Sequence, residues 1–216
     1  AIAQFADTLL QLTDYQHLPV VRFVADTALR EGAPVTTVDL HNILQSVMTN
    51  FPDAFGPRDE KRLRPYAHGR RLIERLLFNS ADTVNLTDEE REEFRIAGDE
   101  NSEATEYAVG LMMRVRFPAI LCITTSSLLE STRPGGPFHE LLASCKIIIG
   151  DEASQIPEPA FAAMISRFPS ARHIYTGDAH QSAPHLRCLA SSLPARLGAR
   201  GVMDILLDRD VPLAPL

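Results

Sequence analysis

The sequence predicts an α/β domain built around a parallel sheet. Two mostly apolar runs, residues 119–124 and 145–150, are typical of short strands buried on both faces of a sheet. Residues 172–176 predict a third strand, and an amphipathic helix over residues 158–168 separates it from the second. A strand, a helix and a strand at this spacing indicate a right-handed crossover between parallel neighbours.

The N-terminal part of the chain adds a strand and a helix to this prediction. Residues 18–24 are rich in β-branched side chains and predict a strand. Residues 37–47 have the apolar spacing of a helix. Thr36 or Thr37 suits the N-cap of this helix, and Asp39 suits its first turn, where the helix dipole favours an anion.

Residues 51–117 predict a helical insertion between the strands. Residues 58–78 read as an arginine-rich helix that is broken near Pro65, because proline removes a backbone donor. A second helix is expected to begin after Thr87 and to be interrupted at residues 98–102. We interpret the arginines as a solvated or inter-helical face opposite the acidic residues 88–106, with part of a nucleic-acid channel as the alternative.

Composition limits the classes of function. The chain of 216 residues has a net charge of −7. This charge argues against a protein that binds nucleic acid by bulk electrostatic attraction alone, but it is compatible with a motor that binds one strand in a narrow channel. No apolar run approaches the roughly 18 residues of a membrane span, so we expect no membrane partner. Three separated cysteines without a CxxC pair favour a reducing, intracellular compartment, cytoplasmic or nuclear.

Two acidic residues, Asp151 and Glu152, follow the apolar run 145–150. We expect them at the carboxyl edge of a parallel strand, where open α/β sheets bind ligands. In nucleotide hydrolysis the first carboxylate can hold Mg²⁺, and the second can orient or activate the attacking water. The alternative is a strand that ends in an acidic turn without further function.

A second polar turn follows the next predicted strand, at residues 177–184. Gly177 permits a tight turn there, and Asp178 and Gln181 are expected beside the two carboxylates on the same sheet edge. The Gln181 amide can hydrogen-bond a γ-phosphate or its attacking water. The alternative is an ordinary turn between a strand and a helix, in which Gly-Asp is common.

The two turns together resemble motifs II and III of superfamily 1 helicases. The matching sequence patterns are Asp-Glu-Ala-Ser-Gln-x-x-Glu-Pro at residues 151–159 and Gly-Asp-x-x-Gln-x-x-Pro at residues 177–184. The residues that continue the first pattern, Ala-Ser-Gln and Glu-Pro, are similar to motif II of the 1B branch, which contains the nonsense-mediated-decay helicase. The resemblance covers most of the chain and is specific in residues 147–184.

This resemblance implies a RecA-like P-loop NTPase fold, a three-layer sandwich with a parallel sheet. Residues 1–216 would form part of the first RecA-like domain, domain 1A, of an ATP-dependent helicase or translocase on single-stranded RNA or DNA. ATP and Mg²⁺ would bind between this domain and a second RecA-like domain of the parent chain.

The resemblance also implies roles for single residues. Asp151 would hold Mg²⁺, Glu152 and Gln181 would be catalytic, and Gly177 and Asp178 would contact the nucleotide. Their expected place is the edge at which the two strands end.

A third stretch, Thr124, Thr125 and Ser126, resembles the threonine-rich motif whose hydroxyls and amides contact the nucleic-acid backbone. Simple turn chemistry after a strand is the alternative. Only residues 37–39, Thr-Val-Asp, match the usual sequence pattern of motif Ia. This partial match weakens the expectation that the segment contacts a nucleic-acid strand.

The sequence also departs from the helicase pattern. It contains no G-x-x-x-x-G-K-[ST] loop, which supplies the backbone amides and the lysine that bind phosphates. Residues 2–12 resemble the helix that follows that loop, and Ser182 stands where leucine is usual. We therefore expect a fragment of a longer enzyme, inactive by itself. The alternative is a non-catalytic helicase-like binding or regulatory module.

Overall fold

A computed structural model of the chain describes residues 2–12, 14, 17–78, 87–178, 180, 184, 191–198, 200–209 and 211–214. Its helices and two pairs of short parallel strands confirm the predicted α/β class. The chain divides into two compact units, Ala1–Ser127 and Leu128–Leu216. None of the described helices combines the length and the apolar character that crossing a bilayer requires.

The first unit contains one pair of parallel strands and most of the helical residues. Its elements are α1 (Ile2–Gln11), β1 (Val20–Arg22), α2 (Asp26–Arg30), α3 (Leu40–Asn50), α4 (Pro57–Phe78), α5 (Asp88–Val115) and β2 (Ile120–Cys122), with α6 (Thr125–Ser131) beginning at its end. Val20 of β1 lies opposite Ile120 of β2. The apolar face of α1 packs on this pair, so the predicted strands and first helix are confirmed.

A buried ion pair connects β1 to the start of α3. Arg22 is 3% exposed and Asp39 is 0% exposed, and the Arg22 Nη2 donates to Asp39 Oδ2 at 2.8 Å. Asp39 also accepts hydrogen bonds from the Thr36 amide at 2.9 Å and the Thr36 hydroxyl at 2.6 Å. These bonds hold residues 36–39 in a turn. The helix therefore begins at Leu40, and the predicted start at residue 37 is wrong.

The charge of Asp39 is stabilised in spite of its burial. Burial alone would raise the pKa of this carboxyl, but the hydrogen bonds from Arg22 and Thr36 outweigh that effect and lower the pKa below its usual range. An ionised carboxylate with four donors is the form that this part of the core requires.

The long helices α4 and α5 pack against each other and occupy most of the predicted insertion. Both predicted interruptions are wrong, because α4 is continuous through Pro65 and α5 through residues 98–102. Pro65 and Lys61 are exposed, so the carbonyl that loses its helical donor can bond to water instead. A glycine costs a helix only about 1 kcal/mol relative to alanine, which is too little to end α5.

Replacing Pro65 by alanine is expected to stabilise the protein. The substitution restores the backbone donor inside α4 and removes the ring, and proline disfavours a helix interior by about 3 kcal/mol relative to alanine. Part of this is offset by the greater freedom of the unfolded chain, so we expect a gain of about 1–2 kcal/mol in urea unfolding. No gain, or a loss of stability, would argue that the helix does not continue through this residue.

The second unit contains the other pair of parallel strands. Its elements are β3 (Ile147–Gly150), α7 (Glu158–Arg167), β4 (Arg172–Tyr175), α8 (Leu193–Gly198) and α9 (Val202–Asp208), with 3₁₀ turns at Leu141–Ser144 and Ala153–Gln155. Ile147 lies opposite Arg172 and Gly150 opposite Tyr175. The predicted order of strand, helix and parallel strand is confirmed.

The burial of β3 differs from the prediction. Ile147 is 54% exposed and Ile149 is 61% exposed, so this strand is not buried on both faces. Among the described residues the strands form two separate pairs rather than the single sheet that we expected. The helix α7, which connects β3 to β4, covers one face of this strand pair. There the ring centres of Phe161 and Tyr175 are 5.3 Å apart.

Candidate functional site

The acidic residues Asp151 and Glu152 follow β3 directly and are both exposed. The turn after β4 is hydrogen-bonded to them: the Thr176 hydroxyl donates to Asp151 Oδ1 at 3.0 Å, and the Ala153 amide donates to the Thr176 carbonyl at 2.8 Å. Parallel strands end at the same edge of a sheet, which is why the two turns meet. The two turns therefore meet at Asp151, Ala153 and Thr176, whereas the expected place of Asp178 beside the two carboxylates stays a prediction.

Glu152 adopts a left-handed backbone conformation, with φ 52° and ψ 43°. No other non-glycine residue in the described part of the chain has a positive φ. This conformation costs roughly 1–2 kcal/mol for a residue with a Cβ. Such residues persist where the surrounding structure determines the backbone, and they cluster at functional sites.

Two glycines enclose the backbone that follows Glu152. A Cβ on Gly177 would lie 2.9 Å from the Ala153 nitrogen, and a Cβ on Gly201 would lie 2.4 Å from the Ser154 carbonyl oxygen. Gly177 is therefore required by close approach, whereas we had expected it for a tight turn. The role of Gly201 was not predicted, because nothing in the sequence shows which backbone it approaches.

The segment around Gly201 is also hydrogen-bonded to residues 156–158, which follow the acidic turn formed by Asp151 and Glu152. The Glu158 amide donates to the Arg200 carbonyl at 3.0 Å, and the Val202 amide donates to the Ile156 carbonyl at 3.0 Å. The start of α9 thus fixes both ends of residues 156–158. A segment more than forty positions later in the chain therefore holds the backbone that follows the acidic turn.

Replacing Gly201 by alanine is expected to destabilise the second unit. The new Cβ would overlap the Ser154 carbonyl, and overpacking of this kind costs about 1–3 kcal/mol. Gly110→Ala is the control, because no heavy atom lies within 4 Å of its added Cβ and alanine stabilises a helix by about 0.5–1 kcal/mol. Urea unfolding should therefore show opposite signs for the two variants. Equal effects would contradict the close approach at Gly201.

The residues after Gly177 are described only in part. Asp178 is exposed, and its Oδ1 accepts a hydrogen bond from the His180 amide at 2.8 Å. This bond is typical of an aspartate that shapes its own turn. Gln181 lies outside the described residues, so its expected position beside the carboxylates stays a prediction.

The threonine-rich stretch lies at the start of α6. The Ser127 amide donates to the Thr124 hydroxyl oxygen at 3.2 Å, and the Thr124 hydroxyl donates to Ser127 Oγ at 2.9 Å. Thr124 therefore acts as the N-cap of this helix, which is the turn chemistry that we considered as the alternative. Ser126 is exposed and Thr125 is half-buried. Contact of these three residues with nucleic acid stays a prediction.

The donor set at the end of β3 fits a magnesium ion that is shared with phosphate groups. Asp151 and Glu152 offer exposed carboxylate oxygens, and one oxygen of Asp151 already accepts from Thr176. Within the described part of the chain no three histidine, cysteine or acidic side chains come together as a metal site. Mg²⁺ usually takes one or two carboxylates and completes its shell with water and substrate phosphates.

Comparison of the sequence with models of protein families finds no match. Comparison with curated proteins finds no similar sequence either. The functional interpretation therefore depends on the chemistry and the geometry of the two turns.

Proposed function

We propose that this chain belongs to the ATP-hydrolysing motor of a superfamily 1 helicase of the 1B branch, with a RecA-like fold. The observation that carries the proposal is the acidic turn Asp151-Glu152, which ends a parallel strand and is hydrogen-bonded to the Thr176-Gly177-Asp178 turn of the next strand. The left-handed backbone of Glu152 supports the same site.

Each side chain has a distinct task in this proposal. Asp151 would hold Mg²⁺, which neutralises the phosphate charge when it is bound. Glu152 would orient the attacking water and accept its proton, and Gln181 would bind the γ-phosphate or that water. Gly177 and Asp178 would contact the nucleotide, and the missing Cβ of Gly177 lets the Ala153 backbone approach this turn closely.

The motor function requires parts that these 216 residues do not contain. The sequence has no glycine-rich phosphate-binding loop, so we place the chain within a longer protein that supplies this loop and a second RecA-like domain. ATP would bind between the two domains, and closure and opening of the pair would move the motor along single-stranded RNA or DNA. Thr124, Thr125 and Ser126 would contact the backbone of that strand.

A non-catalytic helicase-like binding or regulatory module is the second candidate. The absence of a G-x-x-x-x-G-K-[ST] loop from the sequence favours it. The two candidates differ in the coding sequence upstream of this chain. An in-frame Gly-Lys-Thr loop supports the motor, whereas an intact reading frame without one supports the module.

The metal role of the acidic turn can be tested on the chain itself. We expect Mn²⁺, a paramagnetic substitute for Mg²⁺, to broaden the amide NMR signals of Ala153 and Gly177 before those of other residues, at millimolar ion concentration. Asp151→Asn should remove this broadening, because it removes the charge that holds the ion. Glu130→Gln, at an exposed carboxylate of α6 that pairs with Arg133, is the matched control. Broadening that is unchanged in Asp151→Asn would contradict the proposed ligand.

A further inference from the structure

A cleft of about 600 Å³ lies between α4 and α5, at the end where α4 begins and α5 approaches its last turn. Three arginines contribute to its walls, Arg58 and Arg62 from α4 and Arg114 from α5. Gly110 lies in the same wall of α5, and the space above its missing Cβ is open. The cleft lies in the first unit, apart in sequence from the acidic turn of the second.

The charges in this cleft are not balanced within it. Asp59 accepts a hydrogen bond from the Tyr107 hydroxyl at 2.7 Å and pairs with Arg114 at 3.5 Å, so this carboxylate already has partners. Neither Arg58 nor Arg62 forms an ion pair with any side chain that the structure describes. Among the described residues, Glu106 is the only other acidic side chain that lines the cleft, which leaves two guanidinium groups facing one described carboxylate.

One of these guanidinium groups is held in place before any ligand binds. The Arg62 guanidinium lies over the Tyr107 ring at 4.3 Å from the ring centre, and the Tyr107 hydroxyl is fixed by Asp59. A stacked guanidinium loses less freedom on binding than a mobile one. Its planar donors match the oxygens of a phosphate group in pairs.

We propose that this cleft binds the phosphate of a nucleotide-sized phosphate ester through Arg58 and Arg62. The volume falls within the range of about 300–1,000 Å³ that is typical of small-molecule sites. The same chemistry is offered by a free nucleotide and by one nucleotide of a single strand. This site goes beyond the proposed motor function, because it needs neither Mg²⁺ nor the carboxylates Asp151 and Glu152.

Binding of adenosine monophosphate and of a single-stranded oligothymidylate tests this site. Titrations of the chain are followed by NMR at low ionic strength, in EDTA so that no metal occupies the acidic turn. We expect signals of Tyr107 and Gly110 to shift with at least one of the two ligands. Adenosine, which has no phosphate, should leave these signals unchanged.

Three variants of α4 distinguish the cleft from general electrostatic attraction. Replacing both Arg58 and Arg62 by alanine should weaken binding at least tenfold, because it removes the two charge-assisted contacts. Arg58→Ala alone changes an exposed side chain and should still weaken binding severalfold. This single variant keeps the test valid if the double variant does not fold. Arg64→Ala is the matched control, because Arg64 pairs with Glu60 outside the cleft.

The outcome with the two ligands identifies the source of the phosphate. If only adenosine monophosphate shifts these signals, the ligand is a free nucleotide. If the oligothymidylate shifts them, with or without shifts by adenosine monophosphate, the ligand is a nucleic-acid strand. The proposal is overturned if neither ligand shifts Tyr107 at millimolar concentration, if adenosine binds equally well, or if Arg64→Ala weakens binding as much as the double variant. None of these results depends on ATP hydrolysis, so failure here is separate from failure of the motor proposal.

Discussion

Glu152→Gln is expected to slow ATP hydrolysis by the full-length protein by a factor of about 10² to 10⁴, with nucleotide affinity nearly unchanged. The amide has almost the same shape as the carboxylate but cannot accept a proton from the attacking water. It also keeps the side-chain size, and glutamine has a Cβ like glutamate, so the left-handed backbone at this position is no more strained than before. The measurement is kcat and KM for ATP in the presence of single-stranded nucleic acid.

The matched control for this variant is Glu140→Gln. Glu140 is an exposed acidic residue of the same unit and is not part of the acidic turn. We expect it to leave kcat within a factor of about two, the usual scatter for a surface change with no energetic role. A parental kcat in Glu152→Gln would exclude Glu152 as the base. A raised KM with unchanged kcat would instead indicate a role in binding alone.

Asp39→Ala is expected to lower the free energy of unfolding by about 3–5 kcal/mol, the largest stability effect that we predict. The variant leaves the Arg22 guanidinium buried without its carboxylate, and it removes the acceptor of the Thr36 amide and hydroxyl. Urea unfolding followed by circular dichroism measures this loss. A loss of this size is a large part of the roughly 5–15 kcal/mol by which a native domain is ordinarily stable.

Glu60→Ala is the control for this ion pair within the same unit. Glu60 pairs with Arg64 at 3.2 Å, but both side chains are largely in water, 46% and 75% exposed. A surface pair of this kind contributes about 0–1 kcal/mol. If the two variants lose similar stability, Asp39 is not the buried anchor of β1 and α3 that its contacts indicate.

The lowered pKa of Asp39 gives this ion pair a defined pH dependence. A carboxyl whose pKa is lower in the folded state stabilises the fold fully above its unfolded pKa, which is about 3.8. That contribution is lost as the pH falls below about 4 and through the folded pKa. We therefore expect the stability difference between the parent and Asp39→Asn to shrink as the unfolding series moves from pH 6 to pH 3.

Local patterns predicted the elements around the acidic turn well. The apolar run before Asp151 and the amphipathic helix at Glu158–Arg167 are short-range signals, so one sequence is enough to find them. The meeting of the turns after β3 and β4 followed from topology, because parallel strands end at one edge. These predictions needed no knowledge of distant contacts.

The features that were missed depend on contacts between distant residues. Arg22 and Asp39 are 17 positions apart, and only their pairing shows that the helix must begin at Leu40. Gly201 is required because it touches the Ser154 backbone, which no local pattern reports. Propensity disfavours proline inside a helix and so predicts a break at Pro65, but the packing of α4 on α5 overrides that preference.

ATP hydrolysis by the full-length protein, with and without single-stranded RNA or DNA, tests the motor proposal most directly. We predict Mg²⁺-dependent hydrolysis that single-stranded RNA or DNA stimulates and that Glu152→Gln slows by a factor of about 10² to 10⁴. The 216-residue chain alone should neither hydrolyse ATP nor bind it at micromolar concentration, because its sequence lacks the phosphate-binding loop. A folded full-length protein whose hydrolysis is absent, or is unaffected by nucleic acid and by Glu152→Gln, would contradict the proposal.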